Sequence, residues 1–361
     1  MSRKISYEAL TLLTARILEK YGYSKKEAEL TAWVLVEADA RGVPSHGVSR
    51  LAFYRMNRDK GFSKPGANPS IIWETPVSLV VDGHDGVGGY VSDFAVEQTI
   101  AKAKKMGTAF CAVKNSNHYG MAGLWAEKIG QQDMVGMAFT NTRTCGIPTF
   151  GRERLLGTNP IAIAIPEAEG KMFLLDMATT TVAHGKIEVY DRRKKPMPLG
   201  WAVDENGKGT TDASTFERMF LSTDQYGGHL FLGGEGEENG GHKGYGLGLL
   251  VDLLCAGLSM GAFSLNTFKP GQGSGIAHFF GAFRLDLFGK TEDIRAHIAE
   301  ILKTVRESEV AEGNKRIYIH GEKEREARAL ALEKGIDVDD ATCGLLQKLV
   351  DEFSLPSISW D

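Results

Sequence analysis

Arg41-Gly-Val-Pro-Ser-His-Gly-Val-Ser-Arg50 places a hydroxyl, an imidazole and two guanidiniums within ten residues. Pro44 sets an extended entry, and Ser45 is in position to cap a helix over about 45–57. With Ser45 as cap, His46 falls in the first turn, where free N–H groups and the helix dipole disfavour a positive ring. Arg50 follows His46 by four residues, so both project from one face. A proton carrier beside a fixed cation suits a substrate with a carboxylate next to a reducible carbonyl. A capped surface helix with an incidental histidine is the competing reading of the same ten residues.

Working outward, the preceding segments read as helices. Residues 6–20 carry Leu10, Leu13, Ile17 and Leu18 on one side, and Ser24-Lys-Lys-Glu27 forms a capping box opening a helix to about Ala40. Short apolar runs then alternate with helical stretches. Strands are expected at 78–82, 109–113, 134–140, 161–165, 173–176, 277–287 and 316–320. Helices are expected at 91–106, from about Asn117 to Ile129, at 247–260 (buried) and at 292–307 (capped by Thr291), with two more closing the chain. Residues 187–225 are polar, so a long surface excursion is expected there. The order of elements implies an α/β fold in which one sheet is flanked by helices from both termini. We divide it as 1–75 plus 290–361, a helical substrate and dimerisation part, and 76–289, a sheet-based cofactor part.

Composition narrows the function classes. The 361 residues are 42% hydrophobic and 24% charged, ordinary for a globular protein. A net charge of −4 offers no basic field for nucleic acid. No apolar run reaches membrane-spanning length, and the N-terminus has no signal-peptide core. Cys111, Cys145, Cys255 and Cys343 form no CxxC pair, which fits free thiols in a reducing cytoplasm. The nine histidines include no HExxH or comparable spacing, so no metal site is expected.

Three further stretches carry candidate chemistry. Asn115-Ser-Asn-His118-Tyr119 lies where a strand gives way to a helix, with Asn117 as cap and His118 in the first turn. A satisfied structural histidine is the alternative. Leu175-Asp-Met-Ala-Thr-Thr-Thr181 offers an aspartate at a strand end, to orient an imidazole or hold ribose hydroxyls; a simple Asx or ST turn is the plainer reading. Gly240-Gly-His-Lys-Gly-Tyr-Gly-Leu-Gly248 could cradle a pyrophosphate through free backbone N–H groups and Lys243, or could permit close helix packing. Neither a Walker A motif nor a GxGxxG fingerprint is present.

Ala38–Arg50, Asn115–Gly120, Gly157-Thr-Asn-Pro160, Leu175–Thr179, Gly185-Lys-Ile187 and Gly241–Leu247 together resemble the malate/L-lactate dehydrogenase family, over about residues 5–350. The resemblance implies a non-Rossmann, L-sulfolactate-dehydrogenase-like fold with a mixed, mostly antiparallel central sheet. It implies a homodimeric NAD- or NADP-dependent oxidoreductase that moves a hydride to or from C2 of a small 2-oxo or 2-hydroxy acid. His46 matches the proton-transfer histidine, and His118 a residue assigned as proton acceptor in some members. Ser45 and Arg50 match substrate positions, and Asp176 an aspartate that pairs with the Ser-His-Gly histidine. Thr142, Asp176, Met177, Ala178, Thr179, Thr180, Lys243, Gly244, Gly321 and Glu322 match cofactor positions. The chain departs in having His320 where relatives have proline, Thr142 where many have serine, and a longer segment at 212–240. Malate/oxaloacetate is the first-choice substrate, with Arg143 available for a second carboxylate. Lactate, sulfolactate, ureidoglycolate, diketogulonate and cyclic imino acids are alternatives, and a non-catalytic binding protein is the remote one.

Overall fold

The computed structural model describes residues 3–222 and 224–360. The chain opens with β1 (Arg3–Ile5), α1 (Tyr7–Lys20) and α2 (Lys25–Ala40). The Ser24–Glu27 capping box forms as expected, with Ser24 N donating to Glu27 Oε2 at 2.8 Å and Glu27 N to Ser24 Oγ at 3.4 Å.

The next stretch differs from expectation. Two tight turns, Pro44–His46 and Val48–Arg50, precede α3 (Leu51–Asp59), and the Ser45 side chain caps no helix. Gly47 is extended between the turns (φ −88°, ψ −161°), which interrupts any continuous helix. The Asp39 carboxylate on α2 accepts from Val48 N at 2.8 Å and holds the second turn in place. A Cβ on Gly47 would sit 1.8 Å from Asp39 Oδ1, so this approach requires glycine.

The sheet elements follow: β2 (Ser70–Glu74), β3 (Ser78–Asp82), α4 (Gly88–Met106), β4 (Thr108–Ser116), α5 (Ala122–Gly130), β5 (Met134–Thr140), β6 (Ile161–Pro166) and β7 (Met172–Met177). After them come α6 (His184–Arg192), β8 (Ala202–Val203), α7 (Ala213–Phe220), β9 (Gly228–His229), α8 (Gly241–Asp252) and β10 (Ile276–Arg284). The chain closes with α9 (Thr291–Arg306), α10 (Glu322–Lys334), β11 (Ile336–Val338) and α11 (Asp340–Phe353).

Seven strands form the central sheet in the order β2-β3-β4-β10-β5-β6-β7. Only β3 and β4 pair in parallel, joined by the α4 crossover that a parallel pair needs; the other pairs are antiparallel. The mixed, mostly antiparallel sheet is therefore as expected. Central β10 is buried from Ile276 to Ala282, which accounts for its nearly unbroken apolar run. On one face, α4 and α5 bury Val91, Val96, Leu124 and Trp125 against Phe280 and Val113. On the other, Val251 and Cys255 meet Phe139 and Phe279. A second core joins α1 and α2 to α11 and the β1–β11 pair through Leu10, Leu35, Ile336 and Leu346. Helix α2 serves both cores, since Val34 and Ala38 face the sheet while Leu35 and Val36 face the terminal helices.

Four other expectations are corrected. Residues 316–320 form no strand; a single bond, Leu174 N to His320 O at 3.1 Å, ties them to the edge of β7. Residues 187–225 are not merely an excursion, because Ile187, Met197, Ala202, Ala213 and Phe216 bury one another in a small core. The 247–260 segment is buried on one side only: α8 passes into a π turn (Leu253–Gly257), and Leu250, Leu253 and Leu258 stay exposed. Thr291 begins α9, but Lys290 holds the cap position and no side chain caps it. All four cysteines are free and buried, and among the described residues no helix is long and apolar enough to cross a membrane.

Candidate active site

The pairings send β4, β5 and β7 in one direction and β10 in the other. The C-terminal ends of the first three and the N-terminal end of β10 thus share one sheet edge. A cleft of about 2310 Å³ opens there, walled by the 44–50 turns, the segments following β4, β5 and β7, α6 and the approach to α10. Ser45, His46, Arg50, His118, Thr142, Arg143, Asp176, Met177, Ala178 and Gly321 all line it.

The two histidines meet face to face, ring centroids 5.7 Å apart and 19° from parallel. His118 is not in a first helical turn, because α5 begins only at Ala122. Asn117 caps nothing and instead donates to the carbonyls of Phe62, Asp85 and Gly86, fixing the loop that carries His118. Phe53 and Tyr54 on α3 each set an edge against the His118 ring at 5.8 Å. His46 Nδ1 lies 3.0 Å from Ser45 Oγ. Arg50 donates through Nε to Ser45 O at 2.6 Å and forms no ion pair among the described residues, which leaves its outer nitrogens for an anion.

Burial, and then the Arg50 charge, push the His46 pKa down to about 4. His118 is driven well below the ordinary histidine range by burial, with His46, Arg50 and His278 adding to it. Both rings are therefore neutral at neutral pH. Asp176 is raised to about 6 by burial, and Gly123 N, donating to its Oδ2 at 2.7 Å, opposes that rise. No hydrogen bond joins Asp176 to His46, so the pairing that the resemblance implied is absent here: the carboxylate is held by the start of α5 instead.

The expected cofactor residues divide. Thr142 Oγ1 accepts from Thr158 N at 2.9 Å on the cleft wall. Behind it, the Asp252 carboxylate accepts from the Asn141 and Asn159 amides and from Ser264, so a buried hub holds that wall. Thr179 and Thr180 are buried, their hydroxyls donating to Thr158 O and Val182 O, and do not face the cleft. Lys243 and Gly244 lie outside its walls. A Cβ on Gly244 would fall 2.3 Å from Leu232 O, so this glycine serves helix packing. Glu322 accepts from Arg306 Nε and Ile319 N, which commits it to the turn before α10.

Sequence reading missed two contributors. Tyr54 follows Arg50 by four residues, a spacing that could have revealed it. Tyr54 acts from behind the wall, through His118, whereas His184 lines the cleft itself, its Nδ1 3.0 Å from His229 Nε2, and no sequence pattern linked those two positions.

The model for malate/L-lactate dehydrogenase matches residues 5–347. The chain belongs to this family. The malate dehydrogenase of Pyrococcus abyssi is 38% identical over 97% of this chain and 93% of its own length. The solved malate dehydrogenase of Entamoeba histolytica superposes with a TM-score of 0.93 at 31% identity, covering 99% of each chain. The sulfolactate dehydrogenase of Methanocaldococcus jannaschii superposes at 0.86 with 33% identity over 98% of each, so the family fold is that of the sulfolactate enzyme.

Proposed function

We propose that this chain is an NAD- or NADP-dependent 2-hydroxyacid dehydrogenase that interconverts oxaloacetate and malate. The observation that carries the reading is the stacked His46–His118 pair beside Arg50, in a cleft far larger than a small acid fills. The two malate dehydrogenases named above support the choice of acid.

The residues present fit a nicotinamide dinucleotide. Lys186 and Arg192 on α6, and Lys323 at the start of α10, line the cleft with Arg143 and supply cations for its phosphates. Met177, Ala178 and Gly321 line the cleft at the end of β7 and before α10. When bound, the nicotinamide supplies the hydride that C2 receives in reduction. Arg50 grips the C1 carboxylate with its outer nitrogens, a geometry lysine does not match. Arg143 takes the second carboxylate. His46 gives its proton to the C2 oxygen in reduction and takes it back in oxidation. Its lowered pKa favours the base form, and a bound carboxylate raises it toward the acid form.

The exposed strip Leu250, Leu253, Leu258 and Met260 supports a homodimer, and the four unpaired cysteines support a reducing cytoplasm. Sedimentation of the purified protein checks the first. The function is tested by following nicotinamide absorbance with NADH and NADPH against oxaloacetate, pyruvate, sulfopyruvate, oxalurate, diketogulonate and a cyclic imine. Oxaloacetate is expected to be fastest. A protein that binds cofactor yet reduces none of these refutes the reading.

A further inference from the structure

We infer that His118 acts as a neutral ring protonated on Nε2, donating a hydrogen bond to the substrate's C2 oxygen without giving up its proton, and that Gly120 and Tyr54 are the positioning residues that fix this tautomer. The inference rests on the dehydrogenase reading above for the identity of the oxygen. The tautomer itself rests on the geometry around Nδ1.

Two groups approach His118 Nδ1: Tyr54 Oη at 3.0 Å and Gly120 N at 3.4 Å. The amide decides the matter. A backbone N–H can only donate, so Nδ1 must present its lone pair to it. Gly120 is buried, and its N–H has no other acceptor among the described residues. A proton on Nδ1 would leave that amide unpaired and facing another N–H, a cost that buried backbone groups rarely bear. The direction of the amide is itself fixed. Gly120 has φ +78°, and a Cβ there would lie 2.0 Å from Val34 Cγ1, so only glycine holds this position. Tyr54 Oη is also 3.1 Å from His118 O, so its hydrogen can serve the ring nitrogen or the carbonyl. Only the first agrees with a bare Nδ1, because a hydrogen turned to the carbonyl would set an oxygen lone pair against that nitrogen at 3.0 Å; the Gly120 amide and the Tyr54 hydroxyl therefore both donate to the ring.

With Nδ1 unprotonated, the neutral ring carries its hydrogen on Nε2. That atom has no partner within the chain among the described residues, and His118 lines the cleft. The imidazolium is excluded by the same amide, since it would need a hydrogen on both nitrogens. His46 is different. Its Nδ1 faces a serine hydroxyl, which can accept as readily as it donates, so this ring can hold a proton on either nitrogen or on both. The proton gained by the C2 oxygen in reduction therefore comes from His46, while His118 keeps its own and lends a hydrogen bond to the growing negative charge. Aligned donors of this kind contribute about 10²–10³-fold to turnover. The His-x-Gly spacing of residues 118–120 is then a functional unit in which the glycine selects the tautomer.

Two measurements test this. In the full-length protein with labelled histidine nitrogens, NMR of the ring, assigned by loss of its signals in His118→Gln, should show Nε2 protonated and Nδ1 bare, with no titration between about pH 5 and pH 8. A hydrogen on Nδ1, or a ring that titrates in that range, overturns the inference. This readout needs no substrate, so it stands apart from the dehydrogenase reading, which fails separately if no 2-oxo acid is reduced. In turnover, His118→Gln retains an N–H donor near the Nε2 position and should stay within about tenfold of wild type, while His118→Ala falls about 10²–10³-fold. Equal losses in the two variants would mean that His118 carries the proton, contradicting the assignment. Tyr54→Phe should lower kcat several-fold with KM nearly unchanged; a change in KM alone would remove Tyr54 from the positioning pair.

Discussion

Gly47 and Gly244 each stand beside a histidine and a cation in the sequence, and each leaves room for a neighbour. The neighbours differ. At Gly47 the space belongs to the Asp39 carboxylate, 1.8 Å from where a Cβ would be, and that carboxylate fixes the turn presenting His46 to the cleft. At Gly244 it belongs to the backbone of Leu232, with N and O both within 2.4 Å of the missing Cβ, and no residue of α8 lines the cleft. A glycine beside basic residues therefore has no single meaning. What its absent side chain would strike tells a catalytic turn from a packing contact.

Alanine at each glycine breaks the comparison most directly. Both Gly47→Ala and Gly244→Ala should lower stability by about 1–3 kcal/mol through overpacking, read as a fall in Tm. They should part in activity. Gly47→Ala displaces the His46 turn and loses turnover beyond its loss of folded protein, whereas Gly244→Ala, corrected for folded fraction, keeps near wild-type kcat. Equal kcat in the two corrected variants would erase the distinction. Lys243→Ala extends the same test, with cofactor affinity expected to be unchanged.

A smaller effect is expected at Arg50. Lysine preserves the charge and loses the two-pronged grip, so Arg50→Lys should raise KM for the acid about tenfold, roughly 1.4 kcal/mol, with kcat little altered. Unchanged KM would mean that the carboxylate binds elsewhere.

The smallest effect is a pH dependence seated in Asp39. Burial raises its pKa from 3.8 to about 7, with Asp339 adding to the rise and Val48 N opposing it. Between those values the folded chain holds more protons than the unfolded one, so this group makes stability fall as pH rises. His46, lowered from 6.5 to about 4, acts oppositely and costs stability as pH falls through that window. Asp39→Asn removes only the first contribution. Its Tm should therefore decline less than that of wild type between about pH 5 and pH 8. Parallel declines would show that Asp39 does not titrate there.

The strands at β3 to β7 and the Ser24 capping box were legible because each is a local pattern: an apolar run bounded by turn residues, or two side chains three apart. The Ser45 cap was misread because the interruption at Gly47 depends on Asp39, which acts across space from α2. His118 was found, but its setting was not, since Asn117 spends its amide on distant carbonyls instead of on a helix. The Asp176 pairing failed for the same reason: Gly123 N reaches that carboxylate from another element. Residues 316–320 have strand-like composition but meet β7 through one bond only, and no pattern within the segment reports on its partner.

The most direct test of the account is the turnover of His46→Ala with saturating oxaloacetate and cofactor. The account predicts a loss of about 10²–10⁴-fold with cofactor affinity preserved. Wild-type turnover in this variant would contradict it and take the proton from His46.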